Sequence, residues 1–193
     1  MPRVSQNKRD HGKKFNRQFI IMKKILAISG STRKDSTNRH LINSIADIMK
    51  EDFTLLTYEK ISLLPHFNSD DAFDAGSEVN DFRELIRQSD AILICTPEYA
   101  HGVPGSLKNA IDWTVGTDDF SGKIVMLITA STDGKSGHSS LLETLHVIGA
   151  ILPPDIQLLI PFAKTKIQQN GIKDAETITS VKVALNKLNK ILS

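Results

Sequence analysis

Residues 25–39 of the chain read ILAISGSTRKDSTNR. The first four of these residues form a continuous apolar run, as expected for a β-strand that is buried on both faces of a sheet. A polar loop follows, and from Thr37 to Met49 apolar residues recur at helical spacing. A buried strand that leads through a short loop into an amphipathic helix is typical of a parallel α/β sheet.

The alternation of apolar runs and amphipathic segments continues to the C-terminus. We predict strands at residues 25–28, 53–58, 91–95, 123–129 and 156–160. We predict helices at residues 37–49, 79–88, 105–113, 139–148 and 175–192, with a long loop at 59–77. This order predicts an α/β fold: a doubly wound, five-stranded parallel sheet with helices on both faces. Ligands of such sheets bind beyond the carboxyl ends of the strands, so the loops after strands one, three and four are the informative ones.

The charge of the chain is unevenly distributed. The 193 residues carry a net charge of +2, and residues 1–21 hold six Lys or Arg against one Asp, so the remainder carries −3. This acidic remainder gives no reason to expect a nucleic-acid partner. We interpret residues 1–21 as a basic, disordered N-terminal extension and residues 22–193 as one domain. A targeting or anion-binding arm is the alternative for the extension.

The cysteine content and the apolar runs indicate the compartment. The single cysteine, Cys95, excludes an internal disulfide and an iron–sulfur cluster held by one chain. No apolar run reaches the roughly 18 residues that a bilayer span needs, so we expect no membrane partner. These features fit a cytoplasmic protein.

The loop after the first strand has the composition of an anion site. Residues 29–39 contain five hydroxyl side chains, one amide and three cations, and they lead directly into a helix N-terminus. Free N–H groups at such a terminus bind phosphate, and Arg33 can add charge-assisted hydrogen bonds. Gly30 is the one glycine of the loop, so it matches neither a dinucleotide fingerprint nor a Walker A loop. The alternative is that Ser36 merely caps the helix and the cations are solvated.

The loop after the third strand is stiff and aromatic. Residues 96–113 read TPEYAHGVPGSLKNAIDW. Two prolines and two glycines restrict the backbone, and Tyr99 lies at the edge where a ligand is expected. The alternative is a rigid turn in which Tyr99 and Trp113 only pack.

Together the two loops resemble the signatures of the NADPH-dependent FMN reductase family. Residues 29–39 are similar to its phosphate loop, and residues 97–113 follow its pattern PEYxxGxPGxLKNAxDW. The resemblance runs from Met22 to the C-terminus. It implies a flavodoxin-like fold with strand order 2-1-3-4-5, bound FMN, and NADPH or NADH as the electron donor.

The resemblance also implies roles for individual residues. The FMN phosphate is assigned to the loop and first helical turn, at Ser31, Arg33, Ser36, Thr37 and Asn38. The isoalloxazine ring is assigned to a wall that uses largely backbone groups, at Pro97, Glu98, Tyr99 and Ala100. Gly102 and Pro104 shape that wall.

The implied activity is transfer of electrons from a reduced nicotinamide through FMN to a small acceptor. Members of the family reduce quinones, azo compounds, metal oxyanions or free flavins, and they assemble as homodimers or homotetramers. Because the cofactor supplies the chemistry, no catalytic side chain is expected. The alternative is a non-enzymatic flavodoxin-like electron carrier or flavin-binding module.

The loop after the fourth strand gives one further candidate. Ser131 is the best single contact to the flavin there, although this chain has Gly137-His138 where the family often carries adjacent glycines. The tripeptide at residues 134–136 suggests a Walker A loop, but the glycine needed five positions earlier is Thr129. His101 is more simply a loop residue than a substrate contact. No metal site is expected.

Overall fold

The computed structural model describes residues 22–72 and 74–193, in which the chain forms one parallel sheet between two helical layers. The strands are β1 (Lys23–Ser29), β2 (Phe53–Tyr58), β3 (Ala91–Thr96), β4 (Ile124–Ala130) and β5 (Leu158–Ile160). Their order is β2-β1-β3-β4-β5, with every neighbouring pair parallel. The predicted fold class and strand order are therefore confirmed. The predicted disorder of residues 1–21 lies outside the described residues.

Helices cover both faces of the sheet. They are α1 (Thr37–Met49), α2 (Gly76–Gln88), α3 (Gly105–Asp112), α4 (Lys135–Val147), α5 (Ala163–Lys166) and α6 (Ala175–Leu192). One core lies under α1 and α6, where Leu41 and Val181 are fully buried. The other lies under α2, α3 and α4, where Phe82, Leu107 and Leu141 are buried. All six residues of β3 are buried, as its unbroken apolar run predicts for a central parallel strand.

The structure differs from the sequence-based prediction at two places after β4. Helix α4 begins at Lys135 rather than at residue 139, because Gly134 adopts a left-handed conformation (φ 91°) that turns the chain directly into the helix. After β5 the short helix α5 leads into a two-stranded hairpin, β6 (Ile167–Gln168) and β7 (Gly171–Ile172). Short pieces of this kind carry no periodicity that a sequence pattern reveals.

The long loop between β2 and α2 is attached to the signature segment. It contains two short 3₁₀ turns, at Ile61–Leu63 and Ser69–Asp71. The side chains of Asn109 and Trp113 both donate to the Pro65 carbonyl, at 2.9 and 2.8 Å. These two signature residues therefore anchor the loop. Among residues 22–72 and 74–193, no helix is both long and apolar enough to span a bilayer.

Candidate cofactor site

A pocket of about 260 Å³ opens at the carboxyl ends of β1, β3 and β4. Its position agrees with the general location of ligands in open parallel sheets. Its lining comes from the segments that follow β1, β3, β4 and β5. The lining residues are Ser31, Arg33, Ser36, Thr37, Asn38, Pro97, Glu98, Tyr99, Ala130, Ser131, Thr132, Ala163 and Lys164.

The floor of the pocket is the N-terminus of α1. Ser36 is the N-cap, and its Oγ accepts from the Arg39 N–H at 3.1 Å. This uses one acceptor site of the hydroxyl and leaves its O–H free to donate to a ligand. Ser31 is buried, and its Oγ accepts from the Arg33 N–H at 3.4 Å. The loop thus presents hydroxyl donors and unpaired backbone N–H groups at the positive end of the helix dipole.

Gly30 brings this loop close to the turn after β3. Its N–H donates to the Cys95 carbonyl at 2.8 Å. A Cβ at this position would lie 2.2 Å from Thr96 Oγ1 and 2.7 Å from Thr96 Cβ. A side chain at residue 30 is therefore excluded because the end of β1 approaches Thr96 closely. The φ angle of Gly30 is not the reason.

Asn38 shows that the pocket is built to receive a polar ligand. Its side chain is buried, its Nδ2 donates to the Ala130 carbonyl at 3.3 Å, and its Oδ1 has no hydrogen-bond partner among the described residues. A buried acceptor without a partner is costly, and a ligand hydroxyl would satisfy it. A phosphate dianion has no proton to give, so Oδ1 suits a ligand hydroxyl, while the second N–H of Nδ2 remains able to donate to a phosphate oxygen.

The charge at the pocket also suits a phosphate ester. Arg39 forms an ion pair with Glu59, whereas Arg33 has no ion-pair partner within 4 Å among residues 22–72 and 74–193. Arg33 is therefore available to an incoming anion. The donors, the free cation and the unpartnered acceptor together fit FMN.

The turn after β3 forms the opposite wall. The Tyr99 N–H donates to the Gly102 carbonyl and the Gly102 N–H to the Tyr99 carbonyl, at 3.0 and 2.9 Å. The two residues between them, Ala100 and His101, have φ angles of 48° and 59°. Positive φ is ordinarily left to Gly, Asn or Asp, so the turn is strained.

Glu98 joins this strained turn to α4. Its Oε2 accepts from the Gly137 N–H at 2.6 Å, and its own N–H donates to Ser131 Oγ at 3.2 Å. Gly137 lies in the first turn of the helix, where a carboxylate is favoured by the helix dipole. The absence of a side chain on Gly137 matters, because a Cβ there would lie 3.1–3.2 Å from Glu98 and from the Gly102 carbonyl.

The structure brings together nine of the ten residues predicted from the sequence. Only Ala100 does not line the pocket, and it lies exposed at the tip of the turn. Sequence reasoning missed Ala130, Thr132, Ala163 and Lys164. The first two flank the predicted contact Ser131. The last two follow β5, a loop that the carboxyl-end rule would also have indicated.

Two other reactive residues lie outside the pocket lining. Cys95 is fully buried, and burial raises the pKa of its thiol. His138 bonds through Nδ1 to Thr129 Oγ1 at 2.8 Å, and burial lowers the pKa of its ring. Among the described residues, no group of three or more His, Cys, Asp or Glu could hold a metal ion.

A 2-1-3-4-5 parallel sheet with a pocket at its carboxyl edge defines a flavodoxin-like α/β protein. The sequence model of the family described as NADPH-dependent FMN reductase matches residues 23–165. The chain belongs to this family, and it is an FMN-dependent oxidoreductase that uses a reduced nicotinamide. The prediction of a reductase rather than an electron carrier is thereby confirmed.

Individual relatives agree with the family. NADH-dependent flavin reductase subunit 2 of Lactobacillus johnsonii is 32% identical over 181 residues, which is 88% of this chain and 97% of that protein. A 2-hydroxy-1,4-benzoquinone reductase of a Burkholderia species is 31% identical, over 77% of this chain and 84% of its own. The solved structure of the flavoenzyme FerB, an NAD(P)H:(acceptor) oxidoreductase from Paracoccus denitrificans, superimposes with a TM-score of 0.77 at 26% identity. The superposition covers 89% of this chain and 97% of FerB.

Proposed function

We propose that the pocket at the ends of β1, β3 and β4 holds FMN, and that the chain reduces a small organic acceptor such as a quinone or a free flavin. The observation that supports this most is the convergence of the α1 N-terminus, the wall at residues 97–99 and Ser131 on one pocket. Loops from three neighbouring strands all present polar groups to the same space.

Each part of the pocket has its own task. Ser31, Arg33, Ser36 and Thr37 bind the phosphate, and Asn38 Oδ1 accepts from a ribityl hydroxyl. Residues 97–99 and Ser131 support the ring. FMN held by these residues would supply the redox chemistry, with the nicotinamide as hydride donor and the small acceptor as electron sink. The chain contributes orientation, and the strained turn keeps the ring wall in one conformation.

The acceptor class is supported by the names of relatives and by the pocket mouth. The relatives in Burkholderia and in Pseudomonas putida are a hydroxybenzoquinone reductase and a quinone reductase. Tyr99 is 53% exposed at the mouth, so it offers an aromatic face to a planar acceptor. No ionised protein group is required to move a proton for such an acceptor, since water reaches the mouth.

We further propose that the chain assembles as a homodimer or homotetramer in the cytoplasm. Support for assembly comes from exposed apolar side chains near α3 and α4, of which Val115, Val147 and Ile151 are 49%, 79% and 47% exposed. Val115 and Val147 line one groove between α3 and α4, and exposed apolar groups that share a surface are typical of an interface. Light scattering on the purified protein measures the oligomeric state directly.

The proposed activity is tested by mixing the FMN-loaded protein with NADPH, and separately with NADH, under anaerobic conditions. Rapid loss of flavin absorbance is the expected result, and addition of a benzoquinone or of free FMN should restore it. Bleaching that occurs only when a partner reductase is added would instead assign the chain to electron carriage. The relative rates with the two nicotinamides define the donor.

A further inference from the structure

The chain makes an unusual turn immediately after β5. Phe162 has a φ angle of 55°, a left-handed conformation that bulky residues rarely adopt, although its side chain is 64% exposed. Strain of this kind costs free energy and persists where the surrounding structure imposes it. Packing of the exposed ring does not account for the strain, so its reason lies in where the turn sends the following residues.

The turn places the start of α5 over the end of β4. The Phe162 N–H donates to the Thr132 carbonyl at 3.0 Å, and the Ala163 N–H donates to the Ser131 carbonyl at 2.9 Å. Ala163 is 2% exposed and belongs to the core under α1. The segment therefore lies on the α1 side of the sheet, next to Ser131, and lines the same pocket as the phosphate loop.

The residue that follows, Lys164, is a cation on the pocket wall. It lines the same pocket as Arg33, and neither side chain has an ion-pair partner within 4 Å in the described part of the chain. Two cations that line one small pocket make its potential positive and favour the binding of an anion there.

We propose that Lys164 is a phosphate-binding residue that supplies a second cation, beside Arg33, to the FMN phosphate from the segment after β5. The inference rests on the proposed FMN site and extends it to a segment that the two sequence signatures do not contain. A phosphate ester carries close to two negative charges near neutral pH, so a single guanidinium leaves it incompletely neutralised. The strained turn at Phe162 is then explained, because it directs Lys164 toward the anion.

The nicotinamide donor also carries phosphate groups, so the experiment must show whether Lys164 binds the FMN phosphate or those of the donor. Apo-protein is titrated with FMN and with riboflavin, which lacks the phosphate, for the parent, Lys164→Met and Lys164→Arg. The matched control is Lys166→Met, because Lys166 lies on the same short helix but lines a different groove beside Glu176. We expect Lys164→Met to weaken FMN roughly tenfold. Lys164→Arg should retain most of the affinity, and riboflavin binding should change little in any variant.

Salt dependence and the variant Arg33→Ala distinguish an error about Lys164 from an error about the phosphate site itself. FMN affinity of the parent should fall more steeply with salt than that of Lys164→Met, because one charge contact is missing in the variant. Unchanged FMN affinity in Lys164→Met would overturn the inference, and a selective rise in KM for NADPH over NADH would assign the cation to the donor. If Arg33→Ala also binds FMN and riboflavin like the parent, the phosphate site itself is wrongly placed. If only Arg33→Ala loses FMN affinity, the phosphate site is correctly placed and Lys164 does not belong to it.

Discussion

The Glu98 carboxylate accepts a hydrogen bond from the Gly137 N–H at 2.6 Å, and this contact connects the turn after β3 to the first turn of α4. The connection passes beside a backbone that is strained at Ala100 and His101. A carboxylate that is 8% exposed and bonded to a helix N-terminus is a firm attachment. Together with the hydrogen bond from the Glu98 N–H to Ser131 Oγ, this attachment fixes the backbone of the turn at Glu98.

Gly137→Ala tests this attachment. The new Cβ would lie 3.1–3.2 Å from Glu98 and from the Gly102 carbonyl, so the turn must shift by a few tenths of an ångström. Alanine favours the helix over glycine by roughly 1 kcal/mol, and this gain offsets the effect of the strain on the free energy of unfolding. We therefore expect a nearly unchanged melting temperature and FMN affinity reduced by several-fold to about tenfold.

Gly105→Ala is the matched control for Gly137→Ala. Gly105 also lies in the first turn of a helix, and a Cβ there would meet no atom within 4 Å. Titration of each apo-protein with FMN, followed by flavin fluorescence, measures the affinity. The affinity of Gly105→Ala should equal that of the parent. Equal affinity in all three proteins would show that the turn does not border the flavin.

The parallel α/β class and the position of the pocket could be predicted because both follow from local patterns, whereas the strand order and the individual pocket residues came from the resemblance to the FMN reductase signatures. The apolar run of β3 predicts a central strand, and the hydroxyl-rich residues 29–39 predict an anion site at a helix start. The rule that ligands bind at the carboxyl ends of strands then brings the two loops together.

The remaining features depend on contacts between residues that are far apart in sequence. The Asn38 amide is oriented by its hydrogen bond to the Ala130 carbonyl, 92 positions away, and this leaves Oδ1 without a partner. The Glu98 carboxylate is held by the N–H of Gly137, 39 positions away. Lys164 reaches the pocket only because Phe162 turns the chain. A single lysine in a polar segment carries no pattern, so the sequence could not distinguish it from a solvated surface charge.

Cys95→Ala should keep most of the reductase activity. The thiol is fully buried in β3, and burial raises its pKa, so almost no thiolate forms near neutral pH. Slow labelling of the folded protein by a thiol reagent and anaerobic turnover of the variant check this. Near-total loss of turnover with normal FMN content would show that the thiol takes part in the reaction.

The chain that begins at Met22 should match the full chain in melting temperature and FMN content. Residues 1–21 are strongly basic and lack a core-forming pattern, whereas β1 begins at Lys23 and the Lys24 N–H donates to Asp90 at 2.8 Å. Differential scanning calorimetry and the flavin-to-protein absorbance ratio measure the two quantities. A marked fall in either would mean that the extension packs on the domain or contributes to the site.

His138 should make stability depend on pH. Burial lowers the pKa of its ring, so the folded state binds this proton more weakly than the unfolded state does. The stabilisation is complete above the unfolded-state pKa near 6.5, and it is lost as pH falls from there toward the folded-state value. His138→Asn should therefore lose less stability than the parent between pH 7 and pH 5. His146→Asn, on the exposed side of the same helix, is the control and should follow the parent.

Ser36 should contribute to the stability of the apo-protein and to FMN affinity by separable routes. Its Oγ accepts from the Arg39 N–H and caps α1, while its O–H remains free for the phosphate. Ser36→Ala removes both contacts, and we expect a loss of about 1 kcal/mol in apo-protein stability and roughly tenfold in FMN affinity. Ser36→Asp keeps the cap but places a negative charge beside the phosphate. Its apo-protein should be as stable as the parent, and its FMN binding should be weaker than that of Ser36→Ala. Chemical denaturation and FMN titration measure both quantities, and strong FMN binding by Ser36→Asp would place the phosphate away from the α1 N-terminus.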